Sequence, residues 1–239
     1  MFENLDREEV CATVDRVVEQ LLEQAGLAEP PVDAIALAQR HLDMVVSLDR
    51  RQPQRGRAQR SGGRKQIYLR PEPTEERHQW TVAHEIGEHL KASLLERLGI
   101  APGQTPALAG ESLANLFAHR LLVPTRWLTA DAPALDYDVV ELKRRYRTAS
   151  HEVVAWRLLD LPEPSIITIV DNGRVSRRRS NSWSVTRRLA SPELECQEYV
   201  SYHSRAHRVC RDGWTVWAWA VHQADWKREV LRSVVDESE

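Results

Sequence analysis

The stretch Trp80 to Leu90, WTVAHEIGEHL, constrains this chain more than any other. At about 100° of rotation per residue, His84 and Glu88 fall within roughly 40° of each other on one face of any helix formed here. His89 points roughly 140° away from His84. Val82, Ala83, Ile86, Leu90 and Leu94 gather on the opposite side. Such a helix buries its apolar stripe and turns His84 and Glu88 toward a cleft.

In an HExxH helix, two histidines at i and i+4 bind a metal, and the glutamate beside the first activates the metal-bound water. Here the residue four places after His84 is Glu88. His84 and Glu88 are therefore the ligand candidates and Glu85 the candidate base; His89 replaces Glu88 only if the helix bulges. A catalytic zinc also needs a third protein ligand and an open position. The stretch ESLANLFAHRLLVP, residues 111–124, offers Glu111. Exchanging a neutral imidazole for a carboxylate leaves a divalent metal more nearly charge-compensated, which makes it a poorer Lewis acid. It also relaxes selectivity from zinc toward manganese or iron. The alternative is that no metal binds and Glu88 is simply solvated.

The two segments ERHQWTVAHEIGE (76–88) and ESLANLFAHRLLVP (111–124) together resemble the ImmA/IrrE family of bacterial zinc metallo-endopeptidases. In that family an HExxH helix follows a segment like xRxxFTxAHE, and a second helix reads ExxANxFAxxLLxP. Glu111, Ala114, Asn115, Phe117, Ala118, Leu121, Leu122 and Pro124 match. With weaker similarity on both sides, the resemblance covers about Val32 to Leu161. It implies His84 as first ligand, Glu88 at the second ligand's position, Glu111 as third ligand and Glu85 as general base. It also implies a protein substrate, often a helix-turn-helix repressor encoded nearby, whose cleavage switches on stress or mobile-element genes. No DNA-binding module of that repressor type precedes the motif helices, so a separate partner is expected. The reading from another class is a catalytically inactive regulator of the same fold that binds protein or DNA.

The rest of the chain sets the frame. A chain of 239 residues can bury a full core as one domain or two. A formal net charge of -2 argues against a nucleic-acid-coating protein. Cys11, Cys196 and Cys210 are too few and scattered for a disulfide scaffold, so a reducing cytoplasm is the expected compartment. The acidic start MFENLDREE carries no secretion signal, and no apolar run is long enough to span a membrane. No GxSxG elbow or GxxxxGK[ST] loop supports serine hydrolysis or nucleotide binding.

The expected architecture is α+β: a mainly helical, zincin-like metallopeptidase domain with a small sheet over 1–161, then a β-rich module over 162–239. Asp6 to Ala25 has apolar residues from Val10 onward at helical spacing and stops at Gly26. Asp33 caps a helix through His41, and MVVSL (44–48) is a short buried strand. RRQPQRGRAQRSGGRK (50–65) is a mobile, solvated basic loop, and QIYLR (66–70) an edge strand beside the cleft, able to pair with an extended peptide. Thr74 caps the His84 helix. On the Glu111 helix, Asn115 is placed to orient a ligand carboxylate, and His119, roughly 12 Å along the axis, to meet substrate or solvent. Two short helices over 139–147 and 150–161, capped by Asp136 and Ser150, suit core packing better than a DNA-reading pair. Beyond Pro164, SIITIVDNGRVSRRRSN is a hairpin turning at Asn172-Gly173, and QEYVSYH and GWTVWAWAV are strands. REVLRSVV is a last strand or helix. Trp217 and Trp219 share a face, with buried core the commoner use of such a stripe. Cys196, His203, His207 and Cys210 are a weak candidate for structural zinc, because the first cysteine stands outside any CxxC knuckle.

Overall fold

The computed structural model describes residues 6–61, 64–101, 107–223 and 225–236, with the backbone alone for 60–61 and 107–111. The fold is α+β, and it divides into two compact units: Met1–Asp131 with Arg144–Ser150, and Ala132–Lys143 with His151–Glu239.

In the first unit, α1 (Arg7–Gln24) opens on Asp6, whose carboxylate accepts from the Glu8 amide at 3.1 Å, and it buries Val10, Val14, Val18, Leu21 and Leu22. Asp33 caps α2 (Ala34–His41) by accepting from the Ala36 amide at 2.9 Å. The long helix α3 (Glu75–Arg97) carries the HExxE segment. Its buried Gln79 accepts from the Ala34 amide at 2.7 Å and donates to Asp33 Oδ1 at 3.0 Å. A side chain of α3 thus satisfies an amide that the start of α2 cannot bond within its own helix, which locks the two helices together.

Helix α4 (Ala107–Leu122) packs along α3, and α5 (Thr125–Ala134) follows. The crossing is close because Gly87 has no side chain: a Cβ there would lie 3.1 Å from Ala114 Cα and 3.2 Å from Phe117 Cβ. Around it Ile86, Leu113, Phe117 and Leu121 are fully buried, each worth roughly 1.5–3 kcal/mol of apolar burial. Val82, Ala83, Ile86 and Leu94 are buried as the helical period requires, while Leu90 is half-buried.

Strands β1 (Met44–Leu48), β2 (Gly56–Ser61) and β3 (Arg64–Leu69) form a sheet in the order β1-β3-β2, with β1 parallel and β2 antiparallel to β3. Three expectations are corrected here. Residues 56–61 of the basic stretch are a strand, not a loop, because the ladder to β3 uses backbone groups and leaves charged side chains free to face water. QIYLR is central; the strand at the sheet edge is β2. MVVSL is a strand, but only Met44 is buried, with Val45 44% and Leu48 65% exposed, since β1 is the other edge. Thr74 stands at the N-cap of α3 without a side-chain capping bond, and Glu75 and Glu76 supply the first-turn charge instead.

In the second unit, α6 (Val139–Arg145), which spans the division, is capped by Asp138 rather than Asp136: the Asp138 carboxylate accepts from the Val140 and Glu141 amides at 2.8 and 3.0 Å. Helix α7 (His151–Leu158) is buried at every position from Val153 to Leu158, so it is a core helix with no face to lay in a DNA groove. Strands β4 (Ile166–Asp171), β5 (Arg174–Ser180), β6 (His207–Arg211), β7 (Trp214–Ala220) and β8 (Arg228–Val235) make an antiparallel sheet in the order β5-β4-β8-β7-β6. The β4–β5 hairpin turns at Asn172-Gly173 as its dipeptide requires.

QEYVSYH belongs to a helix, α8 (Ser191–His203), and not to a strand. Pro192 starts it, the Glu193 carboxylate accepts from the Ala190 amide at 2.8 Å, and Glu193, Cys196, Gln197 and Val200 are buried at helical spacing. The apolar residues of QEYVSYH alone look β-like; the helical period becomes visible only with SPELEC in front of them. Val170, Cys196, Val200, Val209, Val216, Ala218 and Leu231 form the core between α8 and the sheet. Trp219 is buried with its indole N–H on Asp138 Oδ2 at 3.0 Å, and Trp217 lies beneath the guanidinium groups of Arg208 and Arg232.

One buried carboxylate in this unit depends on few partners. Glu229 is fully buried; His222 Nε2 lies 3.0 Å from its Oε1 and Gln197 Nε2 3.4 Å from its Oε2. His222→Ala is expected to destabilise the protein by about 1–3 kcal/mol, the cost of leaving a buried acceptor short of a donor. Urea unfolding would show it, and an unchanged midpoint would mean that Glu229 does not depend on the imidazole.

Candidate metal centre

An open cleft of about 500 Å³ runs between β2 and α3 in the first unit, lined by Gln54 to Ala58 on one side and Trp80, Thr81, His84, Glu85, Glu88 and Lys91 on the other. One side of α3 thus brings His84, Glu85 and Glu88 to a common wall. His89, not among the lining residues, is half-buried elsewhere on the helix. Glu111 lies in the first half of α4, and its side chain falls outside the described residues.

The orientation of His84 comes from α4. Asn115 Oδ1 lies 3.0 Å from His84 Nδ1. A carbonyl oxygen can only accept, so Nδ1 is the donor of this pair, and in the neutral imidazole the lone pair is on Nε2. The Trp80 ring stacks on the imidazole from one turn earlier, at 5.3 Å and 25°, with His119 at 6.5 Å from the same indole. Asn115 therefore orients the imidazole of His84.

Glu85 is 8% exposed. Gly56 lets β2 come up against it: a Cβ at that position would stand 2.3 Å from Thr81 Cγ2 and 2.8 Å from Glu85 Oε1. Thr81 cannot easily turn away, because its hydroxyl donates to the Arg77 carbonyl at 2.8 Å. Glu88 is held by Lys91, whose Nζ lies 2.6 Å from Oε2. Lys91 stands three residues after Glu88, and pairing at i and i+3 on a helix is a local signal in the sequence. Arg55, Gly56 and Arg57 carry no such signal, because their place in the wall depends on β2 being a strand.

The donor set suits a divalent cation at the two described positions. With Nδ1 engaged by Asn115, Nε2 is the nitrogen that His84 can offer a metal, and Glu88 supplies a carboxylate on the same helix face. The Lys91 ion pair does not exclude this: its side chains are 26% and 34% exposed, and such pairs contribute about 0–1 kcal/mol, so a metal can displace the ammonium. Among the described residues no group of three His, Cys, Asp or Glu side chains converges, and the side chain of Glu111 is not one of them.

Cys196, His203, His207 and Cys210 do not make a centre. The Cys196 thiol is buried under α8 with its pKa pushed up to about 12 by desolvation, Cys210 is exposed, and the two imidazoles pack against Tyr199. Among the described residues no helix is long and apolar enough to cross a membrane.

The model of the IrrE N-terminal-like domain, Peptidase_M78, matches residues 40–159, half of the chain. A solved structure of a Mycobacterium tuberculosis transcriptional regulator is similar, with a TM-score of 0.65 and 20% identity over 95% of this chain and 80% of that one. At that identity the likeness speaks for the fold. No curated protein matches the chain. With its paired motif helices inside the matched segment, this chain belongs to the family of the IrrE N-terminal-like domain.

Proposed function

We propose that this protein is a metal-dependent endopeptidase acting on a protein substrate, its zinc or manganese held by His84, Glu88 and Glu111. The observation that carries this reading is the Asn115 contact, which fixes Nδ1 of His84 against α4 while the same imidazole lines an open cleft with Glu85 and Glu88. A divalent metal at such a centre supplies Lewis-acid polarisation and an activated water. Glu85 takes the proton of the attacking water on its carboxylate and hands it to the departing amine nitrogen. Trp80 and Asn115 keep the imidazole from rotating. Among the described residues β2 pairs with β3 alone, so its other edge is open for an extended peptide to add as a strand. Arg55, Arg57 and Lys91 make the rim of the cleft basic, which favours acidic substrate segments. The family resemblance supports a helix-turn-helix repressor as the substrate class and a regulatory or stress-response role.

A second reading, a catalytically idle regulator of the same fold, draws on the ion pair between Lys91 and Glu88. Metal analysis separates the two. The endopeptidase is expected to bind a divalent metal on purification or on addition, and Asn115→Ala to weaken that binding by roughly 10–100-fold through loss of the group that orients His84. A protein that takes up no zinc or manganese is the idle regulator.

A further inference from the structure

Resting on the metal-dependent reading above, we propose that Lys91 is a built-in competitor for Glu88 that sets how much free metal the centre needs in order to fill. Lys91 Nζ and Glu88 Oε2 are 2.6 Å apart, and both side chains line the cleft with His84 and Glu85. A divalent cation that takes Glu88 as a ligand must either displace the ammonium from one carboxylate oxygen or accept a like charge within a few ångströms. Both lower affinity. Arg57 on the facing wall is a further cation lining the cleft, so a dication there meets like charge from both sides. The lysine can give way: its four-carbon stem is flexible and its head is about a third exposed. With no metal bound, the pair keeps the carboxylate ordered on the cleft wall. The result is a centre that fills at a higher free-metal concentration than it would without the lysine.

The test is zinc affinity of the full chain, measured by competition with a chromophoric chelator and independent of any cleavage assay. Lys91→Met is expected to tighten zinc binding by up to about fivefold, the order of an exposed ion pair that no longer has to be broken. Lys91→Arg, which keeps the charge, should stay near the parent affinity. The gain from Lys91→Met should vanish when Glu88→Gln is made with it, since the competition then has no object. Equal affinity of the parent and Lys91→Met, or a gain that persists beside Glu88→Gln, overturns the competitor and leaves the endopeptidase reading standing. Failure of both parent and Lys91→Met to bind zinc removes the two together. Thermal unfolding of each variant confirms that affinities are compared between folded proteins.

Discussion

Glu85→Gln is expected to abolish cleavage while leaving metal binding and folding in place. The amide matches the carboxylate in size, so it fits the same buried site beside Gly56. It cannot accept a proton, and that is the one property the proposed reaction demands of this side chain. Loss of a positioned general base lowers rates by about 10²–10⁴-fold. Glu85 is not among the proposed metal ligands, so zinc affinity should stay close to that of the parent. Cleavage of an unfolded protein such as casein, followed by mass spectrometry at saturating zinc, reads the effect. Undiminished cleavage would take Glu85 out of the mechanism, and a parallel fall in zinc affinity would make it a ligand.

The second large effect is expected at Gly56. Even a single added carbon would stand 2.3 Å from Thr81 Cγ2, and Thr81 is a buried, β-branched residue tied by its hydroxyl to Arg77. Gly56→Val adds two more carbons, so β2 must move off α3 or Thr81 must give up its hydrogen bond. The expected cost is about 3 kcal/mol, the upper end of what overpacking usually takes. Because Glu85 Oε1 lies on the same contact, the wall that presents the base is displaced with it. A lowered unfolding midpoint together with weaker cleavage is the expected pair of results. Parent-like stability would show that β2 does not pack on α3 as closely as described.

Much of this was legible because it is local. His84, Glu85 and Glu88 share a cleft wall for the reason the sequence suggests: residues i and i+4 stack on one side of a helix whose other side is apolar. Family membership was legible in the paired motifs around Glu85 and Asn115. Lys91 was equally legible, three residues from Glu88, but an exposed lysine on a helix is ordinarily a solvated residue, and only the salt-bridge distance singles it out. The basic stretch before β3 was misread because charge and glycine content report solvation. Strand formation there is decided by a backbone partner, β3, and not by the side chains of β2. The same limit applied to α8, where the apolar residues of a short window fit two periods and burial against the sheet selects one.

The sequence by itself determined the family, the helix that carries the HExxE face, the capping at Asp33 and the hairpin at Asn172-Gly173, because each is written in residues within one or two turns of each other. Tertiary structure alone decided that Asn115 meets the imidazole of His84, that β2 and not β3 walls the cleft, and that Gly56 must be glycine. Those outcomes depend on contacts between residues some 25–31 positions apart, where chain closure and packing, rather than local periodicity, set which groups meet.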